Sequence, residues 1–538
     1  MVLAGTLAAC EGILTENPPN LLTADNLYGS VAGFEAGLNG LYALAREEHE
    51  GLEGGGNNAH RQLFFASGVD NSSGSRGAVA DMMNQLGARL SSTEPRIWMM
   101  WNWLYSTVNA ANTLIERAEN PDLTWDEATK NEMVAEARII RAWAYRHLTY
   151  LWGDVPLHLT ESSGDNIKTD WVRAPVADVH AQMEQDLLFA EQHLPLTNGE
   201  RLNKAVAQHY LAELYLAMDR HAQAEQKAEE VINSGAYQLI TQRYGVLANQ
   251  EGVPFMDQFY DGNVLRSQGN TEVLWPFQYQ QNVEGGGSSR MQRTWVQRYY
   301  EIPGLELSEE HGGRGVARGM LTRFAVEAYC FGDSEPENCL NPDHVKSRRP
   351  DDDRGSPIAL RRFYVYNTEV GLPEGRQIGD TLWLDVKDLV VLDPTHIGTR
   401  KWESRDPLEF SRGAHAWKDE PYLRLAETYL VAAEAELEQG KSGEAAETIN
   451  ALRRRANAGE ITAADVTIDF ILDERSRELV SEEQRRYHLV RTGRFVERTR
   501  ALNNVMGSLV QEHHVLLPIP QAVIDANLTA DMPQNPGY

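Results

Sequence analysis

Two stretches more than two hundred residues apart carry one pattern, and it limits the fold more than any other feature. Residues 208–233 read QHYLAELYLAMDRHAQAEQKAEEVIN, and residues 428–453 read TYLVAAEAELEQGKSGEAAETINALR. Apolar residues recur at helical spacing in both. In each, a small residue is followed twelve positions later by alanine (Ala212 and Ala224; Ala433 and Ala445), with a turn between them around Asp219 or Gly440. Small side chains at matched points let two antiparallel helices approach closely, so each stretch predicts a helical hairpin. A single hairpin cannot bury its apolar face alone, whereas stacked hairpins share a continuous core.

This logic is that of the tetratricopeptide repeat. Other segments extend the helical reading. EARIIRAWAYRHLTYLW places Ile140, Ala144, Leu148 and Trp152 on one stripe, with Arg138, Arg141 and Arg146 off it, and ends at Gly153 with Pro156 beyond. Residues 176–195 form a second amphipathic segment closed by Pro195. Residues 240–420 differ: they are rich in Gly, Pro, aromatics and short polar runs. NTEVLWPFQYQ, LRRFYVYN and TLWLDVKDLVVL predict short strands. NVEGGGSSRMQRTWVQRYY, HGGRGVARG, PDDDRGSP and SGVDNSSGSRG (67–77) predict loops. PDDDRG lacks the alternating carboxylates of a calcium loop and reads as solvated charge. The expected fold class is mostly α, with tetratricopeptide-like hairpins forming a scaffold around an irregular, loop-rich central region containing short strands.

Composition narrows function. With 538 residues, 42% hydrophobic and 24% charged, the chain can bury a large core. A net charge of −28 argues against nucleic-acid binding and against electrostatic docking to anionic lipid. The most apolar run, IWMMWNWLY at 97–105, is about half the ~18 residues a membrane helix needs. Within it Trp98, Trp101 and Trp103 read as core, as do Trp143 and Trp152 on their helical stripe. GKS at 440–442 lacks the upstream glycine of a phosphate loop, since Ala435 stands there; GGRGVARG lacks dinucleotide spacing; H-E-x-x-H and G-x-S-x-G do not occur. His513 and His514 are adjacent and cannot share a helix face as a metal pair. No catalytic residue, cofactor or metal is expected. Of three cysteines, Cys10 follows Leu7-Ala8-Ala9 and is either core packing or a lipid-attachment site. Cys330 and Cys339 flank a polar segment and are either a pair or two free thiols; their spacing is wrong for zinc.

Four stretches occur in a telling order: ARIIRAWAYRHLTYLWGDVPL (137–157), the segment 203–239 from NKAVAQHYLAELYLAM to INSGAYQL, EPYLRLAETYLVAAEAELEQG (420–440), and ILDERSRELVSEEQRRYHLVRTGRF (471–495), followed by the ending HHVLLPIPQAVIDANLTADMPQNPGY. Together they resemble the SusD/RagB family of outer-membrane nutrient-binding lipoproteins. Departures are His488, where the family more often has an acidic residue, and the Glu482-Glu483 pair; both fall in the helical scaffold and bear on local packing.

The resemblance implies a binding protein rather than an enzyme. It would sit on a TonB-dependent, SusC-like barrel transporter and deliver an oligosaccharide, or in some members a peptide, for import. LAAC then resembles a lipobox, with Cys10 as the lipidated residue of a protein anchored in the outer membrane and facing the exterior. The basic part of a secretory signal is missing, the first basic residue being Arg46, so the true start is expected upstream. With Cys10 assigned to lipid, Cys330 and Cys339 remain as a disulfide pair, which would stabilise by roughly 2–3 kcal/mol in an oxidising compartment. Trp402 resembles a core position of a structural strand. The expected divisions are residues 1–20 as signal remnant and tether, 21–265 as the N-terminal SusD-like helical region, and 266–538 as the C-terminal RagB/SusD region with binding loops and further hairpins. Ligand-contact candidates are the loop aromatics Tyr279, Trp295, Tyr299 and Tyr300 with the amide of Gln281, since flat rings cover the C–H faces of sugars while amides satisfy hydroxyls. Asp70, Asn71 and Arg76 lie in a loop that resembles the family's ligand-contact region. Two alternatives stay open: an intracellular adaptor that binds partner peptides, and a glycan-cleaving enzyme with a carboxylate pair.

Overall fold

The computed structural model describes residues 24–50, 60–164, 166–332, 339, 341, 351–404 and 416–538; Cys10 lies outside them. The principal helices are α1 (Val31–Glu50), α2 (Pro95–Arg117), α3 (Glu127–Trp152), α4 (Val176–His193), α5 (Lys204–Ala217), α6 (His221–Ile232), α7 (Leu425–Glu438), α8 (Ser442–Arg455), α9 (Ile468–Leu479), α10 (Arg485–Arg491), α11 (Phe495–Leu502) and α12 (Gln521–Ala526). Their starts follow from side chains that accept the otherwise unpaired first-turn amides. Asp126 caps α3 through Thr129 N at 2.9 Å, Asn203 caps α5 through Val206 N at 3.2 Å, and Thr467 caps α9 through Phe470 N at 3.0 Å. Both predicted hairpins are present. Each turns through a left-handed residue at the position the sequence marked, Asp219 at φ 54° and Gly440 at φ 77°.

Consecutive helices pack in order from α2 to α6. The next step, α6 against α7, joins segments separated by nearly two hundred residues, and α7 in turn packs on α8 and α9. The central region is therefore an insertion between two neighbouring hairpins of one continuous stack. It carries short strands β1 (Ser72–Gly74, from the N-terminal part), β2 (Val273–Phe277), β3 (Gly319–Leu321), β4 (Phe363–Val365), β5 (Thr381–Trp383) and β6 (Glu420–Arg424). Antiparallel pairs form between β1 and β3, β2 and β6, and β4 and β5. The β2–β6 ribbon draws the two ends of the insertion together next to the stack.

Most tryptophans lie where expected: Trp101, Trp103, Trp143, Trp152 and Trp402 are buried. Trp101 meets Trp152 edge to face at 5.1 Å, and Trp103 meets Trp143 at 5.6 Å. Trp98 is a correction, with 43% of its surface exposed. The buried stripe of α2 runs through Ile97, Met100, Trp101, Leu104 and Val108, and Trp98 falls beside it on the next face. A second correction concerns PDDDRG: Asp352, Asp353 and Arg354 are buried rather than solvated. The Arg354 guanidinium holds Asp352 at 2.8 Å, Glu474 at 2.8 Å and Glu478 at 3.0 Å. Glu478 also pairs with Arg455 and, at 3.0 Å, with Arg424; Arg424 reaches Glu272 at 3.2 Å and Glu482 at 2.7 Å. This network ties the insertion (Asp352, Arg354), one end of the ribbon (Glu272, Arg424) and the stack (Arg455, Glu474, Glu478) into one buried unit. Cys330 and Cys339 are joined as a disulfide with Cα atoms 5.8 Å apart. Among the described residues no helix is long and apolar enough to cross a membrane.

Removing one member of a buried ion cluster leaves an uncompensated charge. Glu478→Gln is expected to cost about 3–5 kcal/mol in urea unfolding. Burial alone would raise the Glu478 pKa from its ordinary 4.5, but Arg455, Arg424 and Arg354 hold it far below. Its contribution is thus full above the ordinary carboxylate range and is lost progressively as pH falls from there through the depressed folded value. Wild-type stability should fall steadily below about pH 5, and the fall should be shallower in Glu478→Gln.

Candidate functional site

A groove of about 590 Å³ runs along the outer face of α2, within the usual ligand-pocket range of roughly 300–1,000 Å³. Trp98, Asn102, Ser106 and Asn109 project along it at helical spacing, with Tyr105 beside them. Asn102 and Ser106 are exposed, and 43% of the Trp98 surface is open to solvent.

The second wall is the chain that leaves α3. Gly153 ends that helix at φ 73°, its amide returning to Thr149 O at 2.9 Å. The following segment is pinned by the side chains of helices already in place. Asn112 Nδ2 donates to His158 O and Thr160 O, both at 3.1 Å, and Tyr105 OH donates to Pro156 O at 2.7 Å. His158 N donates to Tyr145 OH at 2.7 Å, and Ser162 N donates to Asn109 Oδ1 at 2.7 Å. These bonds present His158, Ser162, Lys168 and Trp171 to the groove. His158 Nε2 lies 2.7 Å from Ser162 Oγ, its ring is edge-on to Trp171 at 4.9 Å, and Lys168 Nζ sits 4.4 Å from the Trp171 ring centre. Burial, then the Lys168 charge, push the His158 pKa below its ordinary value, so its ring is neutral at pH 7.

The third wall is the C-terminal segment. Leu517 N donates to Leu151 O at 2.7 Å, Trp152 Nε1 to Pro518 O at 2.9 Å, and Asn535 Nδ2 to Trp152 O at 3.0 Å. This lays the chain ending against the end of α3 and brings α12 alongside the groove. Trp171 N then donates to Asn527 Oδ1 at 2.7 Å. Asn527, Val523 and Met532 close that side. The walls combine one open aromatic face, amides, hydroxyls and one ammonium, a set suited to binding a polyhydroxylated ligand.

The loop candidates are distributed differently. Asp70 is buried, clasped by Arg485 at 2.7 Å and Arg498 at 2.9 Å, and Asn71 Nδ2 donates to Ser476 Oγ at 3.2 Å. Trp295 is buried and donates through Nε1 to Gln62 at 2.9 Å; Tyr299 is buried and stacks on Tyr364 at 5.1 Å. Tyr279 is buried beneath the Arg46 guanidinium, 5.5 Å from its ring centre. These five side chains support the insertion and present no face to a ligand, because the loops that carry them fold back onto the stack. Gln281 and Tyr300 remain partly exposed, as does Arg76. Arg76 bonds Glu301 at 2.9 Å and so joins the 67–77 loop to the segment holding Tyr300. The groove residues went unassigned from sequence, although Trp98, Asn102, Ser106 and Asn109 are a legible polar stripe.

One buried group has metal-ligand chemistry: His209, Glu213 and Glu427, with Glu483 and His488 adjoining. Two guanidinium groups occupy it: Arg146 Nε pairs with Glu213 at 2.9 Å, and Arg475 with Glu427, Glu483 and His488. Arg475 Nη2 lies 2.6 Å from both Glu427 Oε1 and His488 Nε2, and its Nε is 2.7 Å from Glu483. The cations there are arginines, and His488, the departure from the family pattern, accepts a hydrogen bond from Arg475. Burial, then Arg475, keep His488 neutral by driving its pKa well down.

A stack of helical hairpins that carries an insertion and an open aromatic groove defines a scaffold-type binding protein. The chain belongs to the SusD/RagB family: a model described as SusD family matches residues 393–538, and one described as starch-binding associating with outer membrane matches residues 22–216. A SusD-like protein of Formosa agariphila is 26% identical over 100% of this chain and 98% of its own length. The starch-binding protein SusD of Bacteroides thetaiotaomicron is 27% identical over 75% of this chain and 72% of its own. Among solved structures, a laminarin-binding SusD-like protein shares the fold with a TM-score of 0.67, at 19% identity over 94% of this chain and 99% of that one.

Trp98 and Trp101, three residues apart on α2, should respond to truncation by different amounts. Trp101→Ala is expected to cost about 3–5 kcal/mol in denaturant unfolding. Trp98→Ala should change stability by less than about 1 kcal/mol, since the residue lies off the buried stripe with 43% of its surface exposed.

Proposed function

We propose that this chain is a cell-surface nutrient-binding lipoprotein that captures an oligosaccharide and passes it to a TonB-dependent, SusC-like outer-membrane transporter. The observation that carries the reading is the exposed Trp98 face beside Asn102, Ser106 and Asn109 in an open groove. An indole covers the C–H face of a sugar, and neighbouring amides and hydroxyls replace the water lost from its hydroxyls. The names of relatives support carbohydrate as the ligand class, one being a starch-binding protein and another a laminarin-binding one. The family description associates the group with the outer membrane. The groove lining, among the described residues, contains no Asp or Glu. Glycoside hydrolysis ordinarily needs two carboxylates, which favours capture without cleavage. Lipid attachment is assigned to Cys10, and Arg76, Gln281 and Tyr300 are assigned to a second, outer contact surface.

Calorimetric titration with a panel of oligosaccharides tests the reading. At least one sugar is expected to bind, and Trp98→Ala should weaken it about tenfold or more. Full-strength binding by Trp98→Ala would remove the groove from consideration. For the anchor, radiolabelled palmitate should tag the wild-type precursor in cells and leave Cys10→Ala unlabelled; an untagged wild type would refute lipidation.

A further inference from the structure

The charge of the groove runs against that of the chain. Acidic residues outnumber basic ones 78 to 50 overall, so a lining of this size drawn at random would hold carboxylates. Among the described residues it holds none, and it holds one ammonium, Lys168. Two acidic residues beside this wall are engaged elsewhere. Glu161 is held by Arg117 at 2.7 Å, and Glu116 accepts from Glu161 N at 2.8 Å. The only described carboxylate within ion-pair distance of Lys168 is Asp170, at 3.9 Å, and both side chains are about half exposed. A pair of that kind is weak and leaves the ammonium available to another anion. The Trp171 ring beneath Nζ positions it at the groove edge by a cation–π contact. Ser162, on the same wall, carries a hydroxyl directed at His158 Nε2, and Asn102 and Ser106 opposite are exposed donors.

Building on the glycan-binding reading, we infer that the groove selects an anionic oligosaccharide, its sugar ring on Trp98 and its carboxylate or sulfate ester on Lys168. A neutral sugar would leave the ammonium without a matching group, whereas an acidic sugar satisfies it with a charge-assisted hydrogen bond. In a chain of net charge −28, a carboxylate in the groove would repel such a ligand, so its absence there and the presence of Lys168 act in the same direction.

The test is titration of the full chain with three oligosaccharides of similar length: an oligogalacturonate, a sulfated galactan oligosaccharide and a neutral β-glucan oligosaccharide. At least one anionic probe is expected to bind about tenfold or more tightly than the neutral one. Which of the two binds identifies carboxylate or sulfate as the recognised group. Lys168→Gln should remove that preference, and raising salt should weaken only the anionic probe. Equal affinity for neutral and anionic probes, or an anionic preference that survives Lys168→Gln, overturns the inference. In that event loss of neutral-sugar binding in Trp98→Ala would leave the groove reading standing. Failure of all three probes to bind overturns both.

Discussion

Glu478 and the guanidinium groups around it hold the molecule together as one body. Three arginines from three regions converge on this carboxylate: Arg354 from the insertion, Arg424 from the end of the closing ribbon, and Arg455 from the second hairpin. Each comes from a place where the chain changes role. A buried ion cluster of this sort adds little net stability compared with apolar packing, but its geometric demands are severe. The insertion meets those demands with Arg354 reaching both Glu474 and Glu478 of α9. Apolar burial is non-directional and makes no such demand. The network thus fixes where a long irregular segment sits on a regular stack.

That seating explains why most of the loop aromatics turned inward. Tyr279, Trp295 and Tyr299 belong to an insertion that has little regular structure and must assemble its own packing against the frame. Trp295 reaches Gln62 and Tyr299 stacks on Tyr364 to do so. Asp70 serves the same end by neutralising Arg485 and Arg498 where the N-terminal loop meets α10 and α11. Aromatic and polar residues in a Gly-rich stretch are needed for two purposes, gripping a ligand and holding a loop without a hydrophobic core beneath it. Composition is the same in both cases.

The groove is made the opposite way, from regular elements. One wall is a helix face, and the others are chain segments tied to helices by hydrogen bonds, such as Leu517 N to Leu151 O and Asn112 Nδ2 to His158 O and Thr160 O. A site framed by helices and pinned loops keeps its aromatic platform and its amides at fixed separations. A recognition surface requires this if ordering costs are not to consume the binding energy. The indole of Trp98 can stay exposed because Ile97, Met100, Trp101 and Leu104 already supply the buried stripe of that helix.

Sequence by itself determined the helical hairpins, their turns at Asp219 and Gly440, the stripe of α3 and the family, because helix periodicity and left-handed turn residues are local properties written in consecutive positions. It did not reveal that Asp352 and Arg354 form part of an internal ion cluster, since Glu474 and Glu478 lie more than a hundred residues away. Nor did it separate Trp98 from Trp101. Three residues apart on a helix, they share part of a face, and only the packing of α3 against α2 decides which ring is covered. The groove belongs wholly to the tertiary structure: its walls come from α2, the segment after α3 and the C-terminal tail, and charge, shape and exposure exist there only once those distant pieces meet.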